Sequence, residues 1–546
     1  MRILSSTNGH DSSLCVYCDG KIEHFILSER FTKIKHDNNL NILKSIFKNT
    51  FNKKLDFIST QNSHHLNHAS ISFYNSGFET ALVLVVDAAG SNLNHTNLRE
   101  CESLYVASYP YKFEKIYLNC RYTLEMSNIK GCSTLDNTII EKYKEKFPNC
   151  EFNYGHRLGI GRLYDSAYFV DGIKSGLSTA GKIMGLSSYG KKSPLNLNFF
   201  RDDMITVDDQ NFKFSKISNI RNFTHKDKVS NFHKYSVDYM IDGMKLLEIP
   251  EKITKENYKN YADYCYELQV QTQEAMCALI QKGIDKTGIK NVCISGGYGM
   301  NIVSNHYYLQ KFPEVNFYFE PMCNDSGQSI GSAMLEYRRR TEDVTIYPNQ
   351  TTSFHGFQYN VKKYKGITTS ISQIAKLLSE NKSVAVYLGL AEAGQRALGN
   401  RSIFFNALNP NAKDIVNKIK NREWYRPFAA TVLVEDARTY FDMGRITESP
   451  FMTISFPVNE ECIDIIPGIV HVDNTCRIQT VSKSNGYLYE LLLEVKKLTG
   501  HGILLNTSFN LAGDPLVETP KDAFITLNNS CLDYLWFEET EQLFVE

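Results

Sequence analysis

RILSSTNGHDSSLCVYCDGKIEHFIL, residues 2–27, consists of three apolar segments separated by a polar loop and a turn. The segments RILSS, SLCVYC and KIEHFIL are rich in aliphatic and aromatic residues and predict three strands. Asp19-Gly20 is a tight-turn signal between the second and third strands. The sequence therefore predicts an antiparallel meander whose first loop, TNGHDSS, carries His10.

Strand and helix signals farther along the chain indicate an α/β fold. ALVLVVD predicts a strand that ends at Asp87, and YADYCYELQVQTQEAMCALIQKGI has apolar residues at helical spacing. The strands NVCIS and NFYFEP are each followed by a loop, GGYGMN or NDSGQSIGSA, that opens a helix. Such glycine-rich turns let backbone N–H groups approach a phosphate, although similar turns also serve packing alone.

A polar loop between the first two strands of a meander, as in residues 2–27, is typical of actin-like and sugar-kinase-like folds, which hold a phosphate there.

Four residues of metal-binding type are spread over the first part of the chain. His64 and His68 in HHLNH are four residues apart, so both face one side of a helix. Asp87 ends a strand, and Asp325 lies in the loop NDSG. Imidazole nitrogens and carboxylate oxygens form mixed sites for iron, zinc or manganese. The alternative is a capping or core histidine pair, but the strand-end aspartates favour a metal site.

A second α/β unit follows residues 340–366, which lack periodicity and are predicted to be a linker. Basic residues occur in its loops, next to apolar strands. They are Arg396, Arg401, Lys418, Lys420, Arg422, Arg426 and Arg477. Guanidinium groups bind phosphate in bidentate fashion, so converging arginines suggest a small polyanion such as ATP or an acyl phosphate. The alternative is a solvated surface paired with Glu392, Glu423 and Glu435.

Bulk composition excludes several classes of protein. A chain of 546 residues exceeds one core and predicts two or three domains. Lys plus Arg equals Asp plus Glu at 60 each, so we expect neither a polynucleotide nor a membrane as partner. The 13 cysteines are odd in number and scattered, and no signal peptide is evident, which together indicate reduced thiols and a cytoplasmic location.

The chain resembles the O-carbamoyltransferases of antibiotic (tobramycin and cephem) and nodulation-factor biosynthesis over nearly its whole length. The matching segments are NGHDSS with ERFTKIKHD, HHLNHAS with FYNSGFETAL, GKIMGLSSYG, SGGYGMN, NDSGQSIGSA, QRALGNRSI, REWYRPFAA, HVDNTCR and NTSFN. The resemblance implies an actin/sugar-kinase-like (ribonuclease-H-like) transfer domain at 1–345, similar to the transferase of tRNA threonylcarbamoyl-adenosine synthesis. It implies a YrdC-like α/β domain at 346–546.

The resemblance also implies a two-step reaction. The YrdC-like domain would form carbamoyl adenylate from carbamoyl phosphate and ATP, with Mg as the counter-ion of ATP. The first domain would then move the carbamoyl group to an acceptor hydroxyl of a small molecule or modified nucleotide, with one divalent metal ion, iron in the first place, at His64, His68, Asp87 and Asp325.

Site residues follow from the resemblance position by position. His10 is the catalytic candidate for the acceptor proton; the alternative is a loop histidine bonded to Asp11. The nucleotide-binding candidates of the first domain are Lys182, Gly296, Gly297 and Asn301. Lys182 could instead be an exposed lysine at a helix start. The carbamoyl phosphate and ATP candidates of the second domain are Arg396, Lys420, Arg426, Arg477, Asn506 and Ser508.

Two departures from the family pattern concern donor binding. Gln395 stands where proline is common, and Ala512 stands where many members have a basic residue. Two other functions stay open at this point. One is threonylcarbamoyl transfer to tRNA adenosine, and the other is a nucleotide-binding regulatory ATPase of the actin and sugar-kinase type with a structural metal.

Overall fold

The structure is a computed structural model, and it describes residues 1–51, 54–59, 63–93, 98–122, 137–155, 159–165, 180–192, 199–200, 206–208, 211–213, 252–348 and 354–545. The protein is an α/β protein with mixed sheets. It forms two compact units. The first unit comprises Met1–Gln61, Met300–His306 and Phe319–Glu546, and the second comprises Asn62–Gly299 and Tyr307–Tyr318. The sequence-based division into 1–345 and 346–546 stays a prediction.

The predicted N-terminal meander is confirmed in the first unit. Its sheet has four strands in the order Lys21–Leu27, Ser13–Cys18, Arg2–Ser6 and Phe57–Ile58. Asp19 and Gly20 both have positive φ, 46° and 82°, as the tight turn between two antiparallel strands requires. Helix Gln328–Thr341 packs on this sheet, where Ser13 Oγ lies 2.7 Å from Ser329 Oγ.

A nine-stranded mixed sheet forms the rest of the first unit's core. Its strand order is Ile367–Thr368, Gln542–Val545, Tyr534–Phe537, Val384–Tyr387, Arg401–Asn406, Ile503–Ser508, Ala429–Leu433, Thr475–Val481 and Ser455–Pro457. Successive residues of a strand point to opposite faces. Val384 and Val386 accordingly pack in one apolar cluster with helices Ile371–Ser379 and Tyr487–Thr499, whereas Ala385 packs in a second cluster.

Shorter elements complete the first unit. They are helices Ser28–Thr32, Leu40–Thr50, Ala412–Lys420, Ala437–Tyr440 and Pro520–Asn528, and the paired strands Phe354–His355 and Ala391–Glu392. Helix Gln328–Thr341 extends past the start of the predicted linker, and residues 349–353 of that linker lie outside the described residues.

The second unit contains a six-stranded mixed sheet. Its order is Asn316–Phe319, Asn291–Ser295, Thr80–Val86, Leu98–Ser108, Lys112–Tyr122 and Glu151–Gly155. Its helices are His64–Ser76, Asn137–Lys146, Ile160–Tyr164, Ala180–Ser187 and Lys259–Thr287; helix Ile302–Lys311 is divided between the units, and Thr206–Asp208 pairs with Asn211–Lys213. Helix His64–Ser76 packs on Thr80–Val86, which brings the predicted histidine pair to the sheet.

Twelve of the 13 cysteines lie in the described residues, and no disulfide bond joins any two of these twelve. Among those residues, none of the helices combines the length and the apolar character that crossing a membrane requires.

Candidate functional site

Two histidines and an aspartate converge in the second unit. His64 and His68 lie one turn apart on helix His64–Ser76, and Asp87 directly follows strand Thr80–Val86. Asp87 Oδ2 is 2.8 Å from His64 Nε2 and 3.3 Å from His68 Nε2. The two Nε2 atoms are 3.2 Å apart. Three of the predicted metal ligands therefore face one another in this unit.

The spacing of these three atoms fits a first-row metal ion. An ion about 2.1 Å from each ligand separates neighbouring ligands by about 3.0 Å in octahedral and about 3.4 Å in tetrahedral geometry. The three distances, 2.8, 3.2 and 3.3 Å, fall close to that range. Two imidazoles and a carboxylate suit iron, zinc or manganese alike.

Local structure explains why these side chains converge. Ser63 caps the helix, since its side chain accepts a hydrogen bond from Leu66 N–H, so the helix starts with His64 in its first turn. Two glycines lie close to Asp87: a Cβ at Gly161 would come within 2.5 Å of the Asp87 carbonyl carbon, and one at Gly297 within 3.0 Å of Asp87 Oδ1. Gly161 was missed in the sequence, and its only signal there is the short motif GIG.

His65 lies in the same motif but has a different role. Its Nδ1 is 2.7 Å from Ser103 Oγ, and the side chain is completely buried. Burial lowers the pKa of His65 to about 3, so the imidazole is neutral at physiological pH. His65 is therefore a core residue and is not one of the predicted metal ligands.

His10 lies in the first unit, between two carboxylates. Its Nδ1 is 3.2 Å from Asp11 Oδ2, and its Nε2 is 3.2 Å from Asp325 Oδ2. Asp11 is buried, and its other oxygen is 2.8 Å from His36 Nδ1. Burial alone would raise the pKa of Asp11, but hydrogen bonds from His10 and His36 outweigh it and hold that pKa well below its usual value.

The bond between His10 and Asp11 is thus present, and it does not exclude a catalytic role. Half of the His10 side chain, 47%, is exposed, so a substrate can reach it. His36, in the motif KHD, was not selected from the sequence, because no spacing rule connects it to His10. The fourth predicted metal ligand, Asp325, belongs to the first unit, and its ligand role stays a prediction.

The predicted nucleotide-binding residues have defined local roles. Gly296 has φ +84°, and a Cβ there would come within 2.3 Å of Val86 O, so this turn requires glycine. Asn301 accepts a hydrogen bond from Ser304 N–H through its side chain, 3.1 Å away, and thereby caps helix Ile302–Lys311. Lys182 lies on helix Ala180–Ser187 and is half-buried. Nucleotide binding by these residues stays a prediction.

Strand pairing gathers the basic residues of the second predicted domain. Ala429, at the start of its strand, pairs with Arg477 on one side and with Asn506 on the other. Lys420 ends helix Ala412–Lys420, and Arg426 lies just before Ala429. Arg396 lies close enough to Arg477 and Arg426 for their charges to interact. The predicted donor residues therefore lie together at one end of the nine-stranded sheet. We call Arg396, Lys420, Arg422, Arg426 and Arg477 the basic cluster.

The basic cluster has little anionic compensation. Within the described part of the chain, its salt bridge is between Arg426 and Glu423, 3.7 Å apart. Burial, together with neighbouring arginines, lowers the pKa of Arg422 and of Arg477 well below the usual value. Burial also lowers the pKa of Arg396, to about 10. The side chains repel one another, so a bound polyanion would stabilise them.

Lys420 is held by neutral oxygens. Its ammonium donates to Ser508 O, to Ser508 Oγ at 3.2 Å, and to Asn510 O and Oδ1 at 2.5 and 2.7 Å. Burial, followed by Arg422 and Arg426, lowers the pKa of Lys420 well below its usual value. Ala512, the departure from the family pattern, donates its N–H to Lys420 O at 3.0 Å and so closes the same loop.

Two of the basic residues singled out in the sequence lie apart from this arrangement. Arg401 is buried and donates to four backbone carbonyls, those of Leu388, Gly389, Asn400 and Glu518. Its guanidinium also stacks on the Tyr387 ring, 3.6 Å from the centroid. Lys418 is exposed. Arg401 is therefore part of the core of the sheet.

Comparison with known proteins identifies the family. The carbamoyltransferase N-terminus model matches residues 44–334, and the carbamoyltransferase C-terminus model matches residues 375–542. The first match alone spans more than half of the 546 residues, so the chain belongs to the carbamoyltransferase family and is a carbamoyltransferase. The family predicted from the motifs is confirmed.

The chain is also similar to individual proteins. An uncharacterized protein of Synechocystis is 27% identical over 87% of this chain and 75% of its own length. Nodulation protein NolNO of Sinorhizobium fredii is 26% identical over 95% of this chain and 69% of its own. A crystal structure of full-length HypF in the phosphate- and nucleotide-bound form has a TM-score of 0.35 and 14% identity, covering 63% of this chain and 56% of that one.

Proposed function

We propose that this carbamoyltransferase forms carbamoyl adenylate from carbamoyl phosphate and Mg-ATP and transfers the carbamoyl group to an acceptor hydroxyl. In the first step, water releases the phosphate group of carbamoyl phosphate as inorganic phosphate, and the oxygen of the resulting carbamate displaces pyrophosphate from the α-phosphate of ATP. The acceptor is a small molecule or a modified nucleotide. The observation that carries the first step is the basic cluster, in which five buried or half-buried cations share one salt bridge, between Arg426 and Glu423, in the described residues. Both donor substrates are polyanions, and guanidinium groups bind phosphate oxygens in bidentate fashion.

The proposal includes the finer fold and location. Residues 1–345 are assigned an actin/sugar-kinase-like fold, supported by the meander and its polar first loop. Residues 346–546 are assigned a YrdC-like fold, and the protein a cytoplasmic location. Lys182, Gly296, Gly297 and Asn301 are kept as nucleotide contacts of the transfer site.

In the transfer step, His10 accepts the proton of the attacking hydroxyl. Asp11 accepts a hydrogen bond from Nδ1. The carboxylate of Asp325, 3.2 Å from Nε2, then stabilises the proton that Nε2 takes from the hydroxyl. General-base assistance of this kind contributes roughly 100- to 10,000-fold in rate. A divalent ion bound by His64, His68 and Asp87, with Asp325 kept as the predicted fourth ligand, would neutralise charge on the departing AMP.

The decisive experiment measures nucleotide products with the full chain. Supplied with ATP, Mg and carbamoyl phosphate, the enzyme should release pyrophosphate, and it should release AMP when an acceptor is added. Pyrophosphate should stay at background if carbamoyl phosphate is omitted. Release of ADP without carbamoyl phosphate would instead indicate the regulatory ATPase.

A second arm identifies the acceptor class. Hydroxyl-bearing compounds and hydroxymethylated nucleotides are incubated with enzyme and donors, and mass spectrometry detects the gain of one carbamoyl group. His10→Asn should abolish this gain while pyrophosphate release persists, because adenylate formation depends on the basic cluster. Loss of both activities in His10→Asn would contradict the division of labour between two sites.

A further inference from the structure

The loop that follows Arg396 is fixed from both sides by buried polar side chains. Glu392 Oε1 accepts hydrogen bonds from the backbone N–H groups of Leu398, Asn400 and Arg401, at 2.8, 3.0 and 3.2 Å. The opposite side of the loop presents carbonyls instead. These carbonyls accept hydrogen bonds from side chains of the nine-stranded sheet.

Three side chains of that sheet form one hydrogen-bonded network, and each is at most 1% exposed: Thr431, Gln479 and Asn506. Thr431 Oγ1 donates to Gln479 Oε1 at 3.0 Å. Asn506 Nδ2 donates to Thr431 Oγ1 at 2.8 Å and also lies 3.3 Å from Gln479 Oε1. Since both donors point to its oxygen side, Gln479 presents its NH2 group to the loop.

The network holds two consecutive carbonyls of the loop. Gln479 Nε2 donates to Leu398 O at 2.8 Å, and Asn506 Nδ2 lies 3.3 Å from Ala397 O. Asn506 was predicted to bind donor substrate, but its amide nitrogen is hydrogen-bonded to the loop. Arg396 is the residue directly before these two carbonyls, so its backbone position is set by the network.

The same sheet face carries part of the basic cluster. Thr431 pairs with Gln479, and two residues earlier Ala429 pairs with Arg477, so Gln479 and Arg477 lie on one face of their strand. We infer that Gln479, with Thr431, is a positioning residue of the donor site, which fixes the loop 396–399 so that Arg396 is aligned with Arg477 for one phosphate. The inference rests on the proposed function only for the identity of that phosphate.

The test uses Gln479→Met, which keeps the side-chain volume and removes the hydrogen bonds. We expect its KM for carbamoyl phosphate to rise about tenfold in the pyrophosphate assay, with kcat changed less than threefold. Thr480→Val is the matched control. Thr480 is the next residue on the strand, on the opposite face, and its Oγ1 accepts a hydrogen bond from Ser449 N–H at 2.8 Å. This variant loses a comparable buried hydrogen bond but should keep the wild-type KM.

A double-mutant comparison separates positioning from general destabilisation. If Gln479 acts through Arg396, Gln479→Met should raise KM no further in an Arg396→Ala background. Three results would each overturn the inference. They are equal KM values in Gln479→Met and wild type, a raised KM in Thr480→Val, and additive effects in the double mutant. Thr431→Val, a nearly isosteric change, replaces Gln479→Met if the latter fails to fold.

A binding measurement keeps this test independent of the proposed reaction. The Kd for inorganic phosphate, measured by calorimetry on the full chain, should rise several-fold in Gln479→Met and stay unchanged in Thr480→Val. If the wild type lacks carbamoyl-phosphate-dependent pyrophosphate release, the proposed function fails, and the phosphate Kd values still decide the positioning role. Equal Kd values in Gln479→Met and wild type would overturn it.

Discussion

Two buried lysines, one in each unit, have opposite electrostatic environments. Lys115 lies on strand Lys112–Tyr122, with its Nζ 2.7 Å from Glu100 Oε1. Burial would lower its pKa, but Tyr105 and Glu100 outweigh burial and raise the pKa well above its usual value. Lys420 is also buried, and its ammonium donates to neutral oxygens of Ser508 and Asn510. Burial, Arg422 and Arg426 outweigh the opposing charge of Asp514 and hold its pKa well below the usual value.

The opposite pKa shifts of the two lysines distinguish a charge that stabilises the fold from a charge that is available to bind a ligand. In a buried ion pair, each charge is neutralised by its partner. A buried cation without an anion is unfavourable by several kcal/mol and is retained where a ligand supplies the anion. Lys115 and Glu100 neutralise each other without any ligand. Lys420 lies among Arg422 and Arg426, which add to the unfavourable charge. This contrast is the physical reason for the proposal that the donor phosphates bind at the basic cluster.

The largest expected effect is on stability. Lys115→Met leaves Glu100 buried without its cation, so we expect the free energy of unfolding to fall by about 3–5 kcal/mol. Lys420→Met removes a buried charge that forms no salt bridge in the described residues, but it also leaves oxygens of Ser508 and Asn510 without their donor. The net loss should therefore stay below about 2 kcal/mol. Urea unfolding followed by circular dichroism measures both. The double variant Glu100→Gln, Lys115→Met should regain most of the loss, and a similar loss in Lys420→Met would break the contrast.

The next effect is on activity and runs in the opposite direction. Lys420→Met should reduce carbamoyl-phosphate-dependent pyrophosphate release by roughly 100- to 1,000-fold, the range for removing one preorganised donor from a charged site. Use of synthetic carbamoyl adenylate as donor should persist, because that step belongs to His10. Lys115 is far from any predicted donor residue in sequence and serves as the comparison in the same assay after correction for the folded fraction. Unchanged pyrophosphate release in Lys420→Met would remove Lys420 from the donor site.

The same distinction applies to the three histidines of HHLNH. His65 is bonded to Ser103 and neutral, whereas His64 and His68 face Asp87. His68→Ala should lower metal affinity by about 100-fold or more, since loss of a bond to the metal exceeds the 10- to 100-fold typical of residues that only support a ligand. Elemental analysis after dialysis against chelator measures the bound ion. Full metal content in His68→Ala would show that the triad is not the metal site.

The sequence predicted what depends on local periodicity. The strand pattern of residues 2–27, the helix carrying His64 and His68, and the strand ending before Asp87 all follow from spacing alone. The partners of the basic residues could not be predicted, because strand order decides them. Arg401 looked equivalent to Arg396, yet pairing beside Val384–Tyr387 turns its guanidinium onto backbone carbonyls. The bond between Thr431 and Gln479 likewise depends on a register that only the folded sheet defines.

The smallest expected effect tests whether the contrast is graded. Arg426 is one-third exposed, at 32%, and Glu423 lies 3.7 Å from it, so it is intermediate between a paired and an unpaired cation. Such a partly solvated pair contributes little to stability, and Arg426→Ala should leave the free energy of unfolding within about 0.5 kcal/mol of wild type. Pyrophosphate release should fall roughly tenfold, less than in Lys420→Met, because solvent already screens part of the charge.

Glu423→Gln is the matched change: it frees Arg426 from its partner and should lower the KM for carbamoyl phosphate. A larger loss in Arg426→Ala than in Lys420→Met would mean that direct reach to the phosphate, rather than lack of compensation, ranks the cations of this site.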